Sequence, residues 1–302
     1  MDVTMIRLGL CCIFKEQPIK FRRTTAKYLS RFSRREQLNR LSDICLANGE
    51  NLMKALDYCR GNGIGDFRIN SQILPLKTHP DIGYDIMDLP HGDEIVKTFK
   101  ACGRFSKKNN LRTTFHPDQF IVLSSNDPSV VHRSIADLEY QAQVAQWVRA
   151  DVINIHAGGV YGDKKSALMR LRRQIDTLAD PVRKRLTLEN DDRSYTPRDL
   201  APVCKDMNIP MVYDLHHHRC LRDDLSLERA TAMAVETWNR EPLFHISSPI
   251  NGWDAPDVRK HHDYIDINDF PMAWLSLDLT VEVEAKAKEK AVLQLIKELK
   301  NR

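Results

Sequence analysis

Eight short apolar runs of strand length, separated by stretches of helical periodicity, constrain this chain more than any other feature of it. The runs are IRLGLC (6–11), DFRIN (66–70), LRTTFH (111–116), DVINIH (151–156), RLTLEN (185–190), PMVYDL (210–215), PLFHIS (242–247) and LDLTVEVE (277–284). Between most of them, near 36–60, 92–109, 129–149, 164–179, 197–207 and 226–239, apolar residues recur three or four apart, as amphipathic helices require. Asp127-Pro128 and Thr196-Pro197 read as helix starts, a capping side chain followed by proline at the first helical position. Alternating strands and helices leave two architectures, an open doubly wound sheet or a closed barrel. The count of eight favours the α/β (β/α)8 barrel. At 302 residues the chain has the length of one such barrel, ~250 residues or more. No linker, repeat or low-complexity tract divides it, so residues 1–302 are expected to form a single domain. A final helix is expected over 285–300, with Val292, Leu295, Ile296 and Leu299 on its apolar side.

The strands end on chemistry. The third ends at His116, the fourth at His156, and the fifth at Glu189 followed by Asn190. The sixth ends at Asp214 before His216, His217 and His218; the seventh carries His245, and the eighth ends at Glu284. A barrel gathers the C-terminal ends of its strands on one face, where active sites are built. One histidine at a strand end is ordinarily a satisfied hydrogen-bonding residue. Six consecutive strands delivering imidazole or carboxylate to one mouth are harder to explain without a cation, because buried unpaired carboxylates are costly. Mixed His, Asp and Glu ligation without thiolate suits Mn²⁺, Mg²⁺, Zn²⁺ or Fe²⁺, and the number of candidates points to more than one ion. Multi-metal sites of this kind serve phosphodiester hydrolysis. Of the three successive histidines not all can face inward, and Asp214 with His217, three apart, is the expected pair.

The remaining features bound the partners. The seven cysteines are odd in number and lack CxxC spacing, so a disulfide framework or zinc ribbon is not expected, and a reducing compartment, the cytoplasm, is. Neither a signal peptide nor a membrane span is expected. Net charge is +4, but nine lysines and arginines lie between Lys15 and Arg40 against Glu16 and Glu36 alone. Arg22 and Arg23 are the candidates there for contacts with a nucleic-acid backbone, the alternative being a solvated surface. After the fourth strand, Gly158-Gly159 followed by Lys164 and Lys165 could let a phosphate approach the backbone.

Taken together, several segments resemble the UV-damage endonuclease family, relatives of endonuclease IV. They are RLGLCC (7–12), FRINSQILPL (67–76), HPDQF (116–120), HAGGVYGDK (156–164), LENDD (188–192), DLHHH (214–218), HISSP (245–249), HHDYI (261–265) and EAKAKE (284–289). They occur in family order and span nearly the whole chain. The resemblance implies a Mn²⁺-dependent endonuclease acting on damaged double-stranded DNA, cutting immediately 5′ of a lesion and holding two or three ions. The implied ligands are His116, His156, Glu189, Asp214, His217, His245, His261 and Glu284, with catalysis resting on Glu189, Asp214, His217 and Glu284. His261 is preferred to His262 on the family's H-x-D pattern before Asp263. Gln119 and Phe120 are the implied lesion probes, although FIVL reads equally well as core. Leu10, Arg22, Arg23 and Lys164 join them as expected DNA contacts. Three departures stand out: Leu10 replaces the tyrosine of RLGY, HPDQF replaces HPGQY, and Leu243 replaces a lysine two residues before the strand-seven histidine. They bear on lesion range and rate more than on the metal site.

Two other functions compete. A metal-dependent sugar isomerase or epimerase shares the barrel and its ligand types, but needs neither the basic 15–40 segment nor HPDQF. A catalytically dead nucleic-acid binder would have no use for the strand-end carboxylates. An endonuclease acting on abasic sites is the nearest variant of the repair reading. A monomer without an obligate partner is expected.

Overall fold

The structure, a computed structural model, describes residues 6–301. Its eight strands are β1 (Arg7–Cys11), β2 (Asp66–Ile69), β3 (Arg112–Phe115), β4 (Val152–His156), β5 (Leu186–Glu189), β6 (Met211–Asp214), β7 (Leu243–Ile246) and β8 (Thr280–Val283). All pair in parallel in sequence order, and β1 closes the ring by pairing with both β2 and β8. This is the expected (β/α)8 barrel.

Strand alternation sorts the side chains into two environments. Leu8, Leu10, Phe67, Ile69, Ile153, Ile155, Leu186, Leu188, Phe244, Ile246, Val281 and Val283 belong to the large core cluster that also contains the buried faces of the surrounding helices. The alternate positions turn inward and change character along the barrel axis. Val152, Val212 and Leu243 form a small apolar cluster of their own. One step further along, Asp66, Thr114, Asn154, Thr187 and Glu282 are all buried. Gly9 belongs to this polar layer for a steric reason: a Cβ there would lie 2.6 Å from Asp66 Oδ2 and 3.1 Å from Glu282 Cγ. Leu243, where the family has lysine, thus sits in apolar surroundings.

Capping fixes the helix starts that matter for the mouth. Ser33 and Glu36 form a capping box that opens the 28-residue helix Arg34–Gly61. Asp127 and Thr196 cap the helices beginning at Pro128 and Pro197, as their sequences indicate. Three boundaries differ from expectation. Residues 277–279 precede β8, because Met272–Ser276 forms a 3₁₀ turn ahead of it. The last helix begins at Glu289, since Lys286 and Ala287 donate their backbone N–H groups to the carbonyls of His262 and Asp263. The triple histidine lies on a short helix, Leu215–Cys220, whose N-cap is Asp214. Among the described residues no helix is long and apolar enough to cross a membrane.

Candidate metal centre and nucleic-acid interface

Seven of the eight candidate ligands come together at the mouth. Ligand atoms of His116, His156 and Glu189 lie within 4.8 Å of one another, as do those of His116, His245 and Glu284, and those of Glu189, Asp214 and His217. The three groups overlap through Glu189 and His116, so the cluster has room for more than one ion. Parallel register explains the convergence: His156 is level with Glu189, and Asp214 with His245. His261 stands at the edge, with Nδ1 3.8 Å from Glu284 Oε2. His262 is engaged elsewhere, its Nδ1 accepting the Tyr264 N–H at 2.9 Å.

Hydrogen bonds from behind orient the cluster. The His116 Nδ1 lies 3.1 Å from the Pro117 carbonyl, which turns Nε2 to within 2.9 Å of Glu189 Oε2. The His217 Nδ1 lies 3.0 Å from the Asn190 carbonyl. Asn154 donates to Glu189 Oε2 at 2.5 Å and is itself held by the Thr187 hydroxyl. Asp214 spends Oδ1 on the His217 N–H at 2.7 Å, while Asn190 clasps its backbone on both sides. Such outer partners fix ring tautomers and carboxylate directions at metal sites.

What these partners leave over is the informative part. His156 Nδ1, Glu189 Oε1, Asp214 Oδ2 and both ring nitrogens of His245 are buried and have no aligned hydrogen bond. His245 Nδ1 nevertheless lies 3.2 Å from Glu189 Oε1, and Nε2 lies 3.0 Å from Glu282 Oε2. Each unmade buried hydrogen bond costs ~1–3 kcal/mol, more for a charged group. Five such atoms aimed at one another in a charged pocket fit divalent cations. The charge count agrees. Among the described residues, Glu189, Asp214, Glu282 and Glu284 face one permanent cation, Arg68, whose Nε lies 2.6 Å from Glu282 and whose Nη2 lies 2.5 Å from Glu284.

The pKa shifts express the same deficit. Burial alone would lower His217 and His245, but neighbouring carboxylates outweigh it. Asp214 and Glu189 push His217 well up, and Glu189 and Glu282 push His245 to about 10. His156, where burial wins, is pushed down and kept neutral. Glu189 is driven well down despite its burial, by His245, His156 and His116. Burial opposes the lowering of Glu284 too, but Arg68 and His245 outweigh it. The cluster collects positive charge, as protons or as metal ions.

The other two histidines of the triple have structural work. His218 bridges the Tyr213 hydroxyl at 2.7 Å and Asp223 at 2.9 Å. His216 is buried against the rings of Trp253 and His261.

The expected DNA contacts divide. Phe120 is 73 % exposed whereas Ile121 beside it is 7 % exposed, so Phe120 is no core residue. With the exposed Gln119 it projects from the loop that follows His116. Arg22 and Arg23 are exposed on the segment after β1, on the mouth side, and Asn48 pins that segment through the Arg22 backbone. Arg34 and Arg40 of the same basic stretch are committed within the fold, Arg34 to the Ile82 and Gly83 carbonyls and Arg40 over the Phe32 ring. Leu10 is a correction: it is fully buried and faces the helix layer, so it cannot touch DNA. Lys164 is not free either, its Nζ lying 2.7 Å from Asp199 Oδ2. Gly158 (φ +89) serves packing, since a Cβ would stand 2.5 Å from Ser124 Oγ. Sequence reasoning missed Arg68, Glu282, Asn154 and Cys11, whose Sγ lies 2.9 Å from Arg68 Nη2. Strand alternation in TVEVE puts Glu282 on the face of Glu284, and that signal was available.

Residues 6–302 match the family described as UV-endonuclease UvdE. The chain belongs to that family. The UV DNA damage endonuclease of Bacillus velezensis is 36 % identical over 301 residues, covering 95 % of this chain and 91 % of that protein. Among solved structures, SacUVDE superposes with a TM-score of 0.84 at 26 % identity, over 98 % of this chain and 99 % of its own. Endonuclease IV from Thermus thermophilus shares the fold, at TM-score 0.62 and 13 % identity over 98 % of each chain. Within the UvdE family, the convergent cluster and the exposed Gln119–Phe120 pair define the mouth of this barrel as the place to look for function.

Proposed function

We propose that this chain is a divalent-metal-dependent DNA repair endonuclease, acting as a monomer, that incises duplex DNA immediately 5′ to UV photoproducts. Membership of the UvdE family supports a DNA repair endonuclease. The observation that carries the finer reading is the set of orphaned, buried ligand atoms gathered at one mouth beside an exposed aromatic.

His116, His156, Glu189, Asp214, His217, His245 and Glu284 would hold two or three ions, with His261 at the margin. Mn²⁺ is the ion proposed, with Mg²⁺, Zn²⁺ and Fe²⁺ as alternatives. Bound there, the ions supply Lewis-acid stabilisation of the charge that builds on the phosphoryl group and its leaving oxygen. The chain's own residues do the rest. Pro117 and Asn190 carbonyls hold the His116 and His217 rings in one tautomer and orientation. Asn154 fixes the direction of Glu189. Phe120 and Gln119 probe the stack, and a distorted, poorly stacked step resists them least. Arg22 and Arg23 contact the backbone outside the mouth.

The test is incision of end-labelled duplexes carrying a cyclobutane dimer, a 6-4 photoproduct, an abasic site or no damage, each with Mn²⁺ or EDTA. Cleavage just 5′ of a photoproduct, abolished by EDTA, is the expected result. Cleavage at the abasic site alone would replace this reading with an endonuclease IV-like one. Failure of metal-loaded protein to cut any duplex would overturn it in favour of sugar substrates.

A further inference from the structure

The segment EAKAKE (284–289) contains two residues that the metal centre does not use. Glu284 lies in the cluster, and Glu289 is buried, where it accepts the backbone N–H groups of Lys15 and Glu16 at 2.7 and 2.8 Å. That leaves Lys286 and Lys288. Ala285 and Ala287 between them are buried, so Lys286 is turned out to solvent and Lys288 is half-buried. The backbone is held rigidly, Lys286 and Ala287 N–H groups binding the carbonyls of His262 and Asp263 at 3.1 and 2.9 Å. Lys288 has φ +53° and ψ −122°, a strained conformation for a residue with a Cβ. Such strain persists where the surroundings impose it, and it clusters at functional sites.

Both lysines line a cavity of about 330 Å³ together with Cys12, Lys260, His261 and Glu284. Among the described residues neither Lys286 nor Lys288 has a carboxylate within salt-bridge distance, whereas the nearby Lys290 is paired with Glu16 and Lys260 with Asp257. Two unpaired ammonium groups thus converge on a hollow that shares His261 and Glu284 with the metal cluster. An anion bound there lies next to whatever group the cluster engages.

We propose that this hollow is a phosphate subsite: Lys286 and Lys288 hold a phosphodiester flanking the scissile one on the strand that is cut. The inference rests on the endonuclease reading above. Within it, the subsite sets the strand's register across the cluster, a task suited to point charges on a pinned backbone and not to the flexible basic loop at 15–40.

The test uses lesion-containing duplexes in which one phosphate at a time on the damaged strand is neutralised as a methylphosphonate. Affinity is measured with EDTA present, so the duplex stays uncut. For the wild-type chain, neutralising a linkage next to the incision position is expected to weaken binding about 5- to 10-fold, the scale of one charged contact. In the double variant Lys286→Ala, Lys288→Ala that same linkage should no longer matter. The slope of log affinity against log salt should become shallower by about 1 to 2, one per lost phosphate contact. An unchanged melting temperature would show that the variant is folded. If the variant keeps the full sensitivity at every linkage and the same salt slope, the subsite is wrong while the endonuclease reading stands. If the wild-type chain binds no duplex at all, both fall.

Discussion

Phe120 and Ile121 offer a sharp separation of function from stability, because adjacent residues occupy opposite environments. Phe120 is 73 % exposed, so truncating it to alanine removes almost no buried contact, and stability should change by no more than ~0.5 kcal/mol. Ile121 is 7 % exposed, and the same truncation removes a packed side chain at a cost of ~2–5 kcal/mol. Binding should reverse the ranking. An aromatic ring stacked on a base contributes ~1–3 kcal/mol, and each 1.4 kcal/mol is about a tenfold change in affinity. Phe120→Ala should therefore weaken binding to a dimer-containing duplex by roughly 5- to 150-fold while leaving undamaged duplex nearly unaffected. Denaturant melts supply the stability axis, and anisotropy titrations on damaged and undamaged duplex under EDTA supply the binding axis. A Phe120→Ala chain that melts like Ile121→Ala would show that the ring packs against the fold. One that stays stable and discriminates damage as well as wild type would refute the probing role.

Two further outcomes follow from the cluster. Glu189→Gln removes a charge that three histidines face at 2.9 to 3.2 Å. Incision should be lost and metal affinity should fall by at least ~10- to 100-fold, the scale seen even for outer partners of metal ligands, with far-ultraviolet circular dichroism unchanged; wild-type incision would discard the ligand assignment. The raised His217 and His245 predict that Mn²⁺ binding near neutral pH expels protons, because ligand imidazoles must be neutral. The sign is fixed by linkage. A histidine raised from its ordinary value near 6.5 to about 10 stabilises the metal-free chain fully below that ordinary value, and the contribution is lost as pH rises through about 10. Metal-free stability should thus fall on the alkaline side while Mn²⁺ affinity rises. Calorimetric binding heats that do not vary with the buffer's ionisation enthalpy would contradict this.

The parts of the molecule that obey simple periodicities were legible in the sequence. Every strand starts within three residues of its expected position, because outward Val, Ile, Leu and Phe alternate with inward residues in each run. The ligands were legible because each ends a strand, and a barrel brings strand ends together. Leu10 was misjudged by the same rule: two positions after Leu8, it shares that residue's outward face. The helix at Leu215–Cys220 was hidden because three histidines carry no apolar period; Asp214, a good cap, was its only mark. Asn154 and Arg68 matter through partners 35 and 214 residues away, at Glu189 and Glu282, and no local pattern reports such distances.

The Arg68 contacts also decide what the polar layer is for. Its side chain is 9 % exposed and joins Glu282 and Glu284, at 2.6 and 2.5 Å, beneath the cluster. A buried ion pair is weak evidence of stabilisation, since apolar replacements of both partners are often neutral or better, whereas removing one strands the other at ~3–5 kcal/mol. Arg68→Met should incur that penalty, because Glu282 and Glu284 both lose their permanent counter-charge. Adding Glu282→Met should recover part of it, with a coupling of ~1–3 kcal/mol between the two changes. Glu284 remains uncompensated in the double variant, and it belongs to the proposed metal centre. Saturating Mn²⁺ should therefore stabilise the Arg68→Met chain more than the wild type, because cation and guanidinium answer the same negative charge. Additive penalties, or equal stabilisation of both chains by Mn²⁺, would mean that Arg68 serves packing alone. The expected coupling instead ties the barrel interior to its mouth: the arginine holds Glu282 and Glu284 in place around His245 until a divalent ion arrives to share the charge.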